Sequence, residues 1–154
     1  MALCAVVAAL LALNSLGCGG SSLAVYKEKA LEIHGGTADR LSSIFEVFSE
    51  TDFGEDPEGS MALLESALGE GKDVASDSYA ELKALQVPSE AESVQAELLD
   101  FYGRLEERFG ELEREAASLD IEDLTAVMDF VENLQTLQDL GDEGMELTEE
   151  LERL

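Results

Sequence analysis

From Leu23 onward, apolar residues recur every three or four positions, and this spacing is what most restricts the folds open to the chain. The first run is Leu23, Tyr26, Ala30, Ile33, Thr37, Leu41, Ile44 and Phe48. Residues three and four apart lie on one face of an α-helix, whereas a half-buried strand needs strict alternation. The stripe continues across Gly35-Gly36, so one helix is expected over roughly 22–49 with a weak point at the glycines, each costing about 1 kcal/mol relative to Ala. Heavy use of Leu, Glu and Ala, with only 2 Pro and no Trp, points the same way.

Three further stripes follow. Thr51 to Gly59 holds little to bury beyond Phe53 and is expected to turn, with Asp56 as N-cap and Pro57 in the first helical position. The second helix then carries Met61, Leu64, Leu68, Ala75, Tyr79, Leu82 and Leu85, and stops at Val87-Pro88 because a residue before Pro avoids helical backbone. Ser89-Glu90-Ala91-Glu92 has the pattern of a capping box, which would open a third helix at Ser89. That helix runs to Ser118 through Val94, Leu98, Phe101, Leu105, Phe109, Leu112 and Ala116, with Arg104/Glu107, Arg108/Glu111 and Glu111/Arg114 paired on its wet side. Asp120 would cap a fourth helix through Ile121, Leu124, Val127, Met128, Val131, Leu134 and Leu137, interrupted at Gly141-Asp142-Glu143-Gly144 and resuming at Leu147, Leu151 and Leu154. The fold class is therefore all-α. Short connections favour an antiparallel four-helix bundle, the main variant being a pair of long helical hairpins with a partly open groove.

The first 22 residues are of another kind. Ala2 to Leu13 is an unbroken apolar run, suited to a signal peptide and too short for the ~20 residues of a spanning helix. After it comes Leu16-Gly17-Cys18-Gly19-Gly20-Ser21-Ser22. Leu16-Gly17-Cys18 resembles the end of the lipobox of bacterial lipoproteins. The match departs from that family at Ser15, where Leu is usual, and in Met1-Ala2-Leu3, which lacks Lys or Arg.

The resemblance implies a leader over 1–17, a lipidated cysteine and flexible tether over 18–22, and an acidic helical domain over 23–154. It implies acyl chains on Cys18 and a place on the outer side of a cell membrane or outer membrane, with the lipid bilayer as one partner and an envelope protein as another. The domain also resembles small helical lipoproteins in Leu82-x-x-Leu85-x-x-Pro88-Ser89, a likeness that carries no activity. Two readings compete with the lipobox: an apolar first helix burying Cys18, and a plain secretory cut near Ala12-Leu13-Asn14. Cys4 and Cys18 are the only cysteines, so the helical part has no internal disulfide.

Charge and inventory narrow the function. Thirty-five acids against nine bases give a net charge of -26, all of it after residue 26. Such a surface repels nucleic acid and anionic lipid, and it suits solubility, high salt, cations or a basic partner. His34 is the only histidine; it is expected at the surface or a helix end, and no Cys-His or Ser-His-Asp site can be assembled. No phosphate loop, dinucleotide fingerprint or H-E-x-x-H occurs. Counted from Asp52, an EF-hand loop fails at Pro57 and Leu63. Catalytic residues, metal ligands and cofactors are thus all expected to be none. The expected function is a membrane-anchored structural or interaction module, the alternative being a small-ligand or cation-binding protein that uses the bundle groove or the acidic face.

Overall fold

The computed structural model describes residues 22–50 and 56–154. It contains four long helices: α1 Leu23–Glu50, α2 Pro57–Lys83, α3 Glu92–Ser118 and α4 Leu124–Arg153. A 3₁₀ turn at Ser89–Ala91 leads into α3, and no strand occurs among the described residues. The apolar leader, Cys18, the tether through Ser21 and the segment from Thr51 to Glu55 with Phe53 lie outside them.

The helices pack in chain order, α1 on α2, α2 on α3 and α3 on α4, and α4 closes back on α1. Numbers rise on one helix as they fall on the next: Lys27 and His34 of α1 meet the carbonyls of Glu152 and Gly144 on α4. Likewise Lys72 of α2 reaches Glu113 of α3, and Arg104 of α3 reaches Glu143 of α4. Every neighbouring pair is antiparallel, which is the all-α bundle expected from the stripes.

One face of each helix fills the core. Tyr26, Ala30, Leu64, Leu68, Ala75, Leu82, Leu98, Phe101, Leu105, Phe109, Leu112, Phe130, Leu137, Leu147 and Leu151 form a single cluster. Ile44 of α1 packs with Ala67 and Val74 of α2 beside it. Burial of this kind contributes on the order of 25 cal/mol per Å² of apolar surface and is the main force holding the bundle.

The helices depart from the expected signals in four places, the first being the end of α2, which stops at Lys83 with Ala84 as its C-cap rather than running on to Val87. Ser89 Oγ bonds to the side chain of its neighbour Glu90 rather than to the Glu92 backbone, so the capping box does not form and α3 starts at Glu92 without a side-chain cap. Asp123 rather than Asp120 caps α4, accepting from Thr125 N and Ala126 N, while Asp120 holds the preceding turn through Glu122 N. The local signals at 120 and 123 are the same residue type, and only the backbone path separates them. Finally, α4 runs unbroken through Gly141 and Gly144, because packing against α3 and α1 outweighs the propensity cost of two glycines. Asp56 caps α2 as expected, through Gly59 N, and Ser22 Oγ accepts from Val25 N at the start of α1.

The wet-side ion pairs are partly rearranged. Arg108 does reach Glu111, at 3.0 Å. Arg104 turns from Glu107 to Asp100 and across to Glu143, and Arg114 donates to the Gly110 carbonyl. Arg108 also donates to Thr136 Oγ1 and to the Asn133 carbonyl, so the arginines tie α3 to α4 rather than only decorating α3.

Candidate binding groove

Past the contact between His34 and Gly144, α1 and α4 stand apart around a groove of about 970 Å³. Leu41, Phe45 and Phe48 form one wall, and Val131, Leu134 and Leu137 part of the other. The space exists because α4 places Gly141 and Gly144 where bulkier side chains would project into it. A Cβ added at Gly141 would meet nothing within 4 Å, while one at Gly144 would come 3.2 Å from Phe101 Cζ.

The floor is aromatic and polar. His34, Phe101 and Tyr102 pack edge to face, with His34 centred 6.1 Å from Phe101 and 5.7 Å from Tyr102. Nδ1 of His34 lies 2.7 Å from the Tyr102 hydroxyl, and Nε2 lies 2.8 Å from the Gly144 carbonyl. A carbonyl only accepts, so Nε2 carries the proton and Nδ1 accepts from Tyr102. Burial lowers the His34 pKa, against a smaller upward pull from the Gly144 carbonyl. The same burial pushes Tyr102 up to about 12, so both groups are neutral.

Beside them Thr37 Oγ1 and Ser78 Oγ lie 2.6 Å apart, linking α1 to α2. One level along the bundle, the Tyr26 hydroxyl donates to Gln95 Oε1 at 2.8 Å, and Gln95 Nε2 donates to the Leu82 carbonyl at the end of α2. Among the described residues, every buried side-chain nitrogen and oxygen has a partner.

His34 is thus a buried residue, 5% exposed, and not the surface or helix-end residue its glycine neighbours suggest. Phe101 and Phe109 fill the core as expected, whereas Phe45 and Phe48 are only half-buried and wall the groove. On α4 the buried aromatic is Phe130, which the apolar stripe passed over. Leu124, Met128 and Val131, placed in that stripe, are 76%, 72% and 45% exposed. The signal was a surplus: α4 carries more apolar residues than one core-facing stripe can hold.

Cys18, the one site residue expected from sequence, lies outside the described residues. No three His, Cys, Asp or Glu side chains gather as a metal site among the described residues. No helix there is long and apolar enough to cross a membrane. No protein family, curated protein or solved structure matches the chain.

Proposed function

We propose that the chain is an extracytoplasmic, lipid-anchored binding module, held to a cell membrane or outer membrane by acyl chains on Cys18 and binding an apolar partner surface in the α1–α4 groove. The observation that carries the binding half is the groove itself, an apolar trench on a protein of net charge -26. Contiguous exposed apolar surface destabilises a monomer in water and marks interaction sites. The anchoring half rests on Leu16-Gly17-Cys18 and the Gly-Ser tether.

Binding rather than catalysis is proposed because His34 has both ring nitrogens engaged in hydrogen bonds, which leaves it unfit as a base. A small apolar molecule is the second class of occupant, since the groove volume falls within the ~300–1,000 Å³ of small-molecule sites.

Mass spectrometry of the mature N-terminus tests the anchor. The expected result is a chain starting at an acylated Cys18, with Cys18→Ala released from the membrane or left unprocessed. Two or more chains anchor stably because each buried CH₂ contributes ~0.8 kcal/mol. A start at another residue with a free thiol at Cys18 would remove this half. Gly141→Leu tests the groove: it projects a bulky side chain into the trench and is expected to weaken binding of an uncharged naphthalene dye that brightens in apolar surroundings. Unchanged dye binding in that variant would remove the second half.

A further inference from the structure

We infer that the occupant of the α1–α4 groove is a cationic amphipathic helix of another polypeptide, an inference that rests on the groove being a binding surface. Shape comes first. The α4 wall runs from Val131 to Thr148, seventeen residues apart (148 − 131), or about 26 Å at 1.5 Å per residue. A trench of that length between two antiparallel helices matches four to five turns of a further helix packed as a bundle member. Met145 in the trench is 63% exposed, and apolar surface extends beyond it along α4, where Leu124 and Met128 are 76% and 72% exposed. A small molecule sunk in the groove would leave Leu124 and Met128 in water, whereas a helix laid along α4 covers them. Two of these three exposed residues are methionines, whose flexible thioethers adapt to a partner's side chains.

Charge sets the partner's sign. The sequence contains no Lys or Arg from residue 41 to 71 or from 124 to 152, and Arg40, the base within the α1 wall, is turned away to Asp77 of α2 at 3.8 Å. Asp142 lines the groove, while Glu143, Glu146 and Glu150 lie round the helix on the side of α4 that faces α3. Glu46 extends the acid onto α1. The other bases lie elsewhere; Arg104, Arg108 and Lys72 are engaged in ion pairs with Glu143, Glu111 and Glu113. A helix with an apolar stripe flanked by Lys or Arg would bury the stripe on Phe45, Phe48 and Leu134 and set its charges against the acidic rim. A second copy of this chain would bring another -26 to the same rim, and residues 2–13 of the chain itself carry no charge to answer it.

The test uses the full chain in nanodiscs of zwitterionic lipid, with empty nanodiscs subtracted. A fluorescent Leu/Lys peptide of about 18 residues, patterned as an amphipathic helix, is titrated by anisotropy beside a scrambled isomer of equal charge and an uncharged Leu/Gln analogue. The patterned peptide is expected to bind about tenfold or more tighter than both controls. Gly141→Leu, which projects a side chain into the groove, and Glu46→Gln/Asp142→Asn, which removes carboxylates beside it, should each weaken that binding about fivefold or more. Circular dichroism checks that both variants stay helical. Equal affinity for the scrambled peptide, or indifference to Gly141→Leu, would mean diffuse attraction and overturn the inference. Equal Gly141→Leu-sensitive binding of the Leu/Gln peptide, or the dye alone entering the groove, would overturn the cationic partner while sparing the groove as a binding site. Self-association abolished by Gly141→Leu would identify a second copy instead. If neither peptide nor dye responds to Gly141→Leu, the groove reading falls with the inference.

Discussion

The Phe109 ring occupies the position where a side chain on residue 71 would begin: a Cβ on Gly71 would sit 2.4 Å from Phe109 Cε1. This contact brings α2 and α3 close, and Phe109 is completely buried beneath it. Gly71→Ala therefore sets two effects against each other. Alanine raises helix propensity by about 1 kcal/mol, but the ring sits in a close-packed core and overpacking costs about 1–3 kcal/mol or more. Denaturant titration is expected to show net destabilisation. Gly141→Ala has open space around its Cβ and is expected to stabilise by about 0.5–1 kcal/mol. A stabilising Gly71→Ala would show that the α2–α3 contact is looser than described.

Replacing Gln95 breaks two bonds together. Gln95→Leu leaves the Tyr26 hydroxyl and one bond of the Leu82 carbonyl unmet in the core, and each unmet buried group costs about 1–3 kcal/mol. Adding Tyr26→Phe removes one orphan, so the double variant should lose less than the two single losses combined. Additive losses in a double-mutant cycle would show that Tyr26 and Gln95 are not coupled.

His34 gives stability a pH dependence of known sign. Its folded pKa is lowered by burial, so below the unfolded value of about 6.5 the unfolded chain binds more protons than the folded one. The contribution is complete above that pH, is lost as pH falls through the window down to the folded pKa, and is constant below it. Asp142 shares the groove with His34 but is not its hydrogen-bond partner. His34→Gln removes the titration, so the stability advantage of wild type over this variant is expected to shrink as pH falls below about 6.5. An advantage independent of pH would mean that His34 titrates alike in both states.

Helix capping separates two otherwise similar substitutions. Asp123→Ala removes the acceptor for Thr125 N and Ala126 N and should cost about 1 kcal/mol. Ser89→Ala breaks only the bond to Glu90 Oε2 on an exposed turn and should change stability by less than about 0.5 kcal/mol. Equal losses in thermal unfolding would restore the capping box at Ser89.

The helices were legible in sequence because spacing of three and four is a property of each segment alone. α1 and the Asp56-Pro57 start of α2 follow the local signals closely. The cap at Asp123 was not legible, since Asp120 offers the same chemistry three residues earlier and tertiary packing chooses between them. Periodicity marked Leu124, Met128 and Val131 as apolar yet could not say that the core takes Phe130 instead. The burial of His34 depends on Tyr102 and on a backbone carbonyl 110 positions away, a relationship that no local pattern carries. The groove was foreshadowed only as a variant of the bundle, because its width depends on how two distant helices diverge.

The groups that bridge α1 to the other helices inside the bundle share one property: Tyr26, Gln95, His34, Tyr102, Thr37 and Ser78 are all uncharged. Mobile ions screen charges at the surface over ~8–10 Å and leave dry, neutral hydrogen bonds almost untouched. The chain therefore separates two jobs that many acidic proteins combine. Ionic strength can change how strongly its carboxylates repel each other, and with that how stable the bundle is, while the axial alignment of α1 with its neighbours stays the same from dilute buffer to brine.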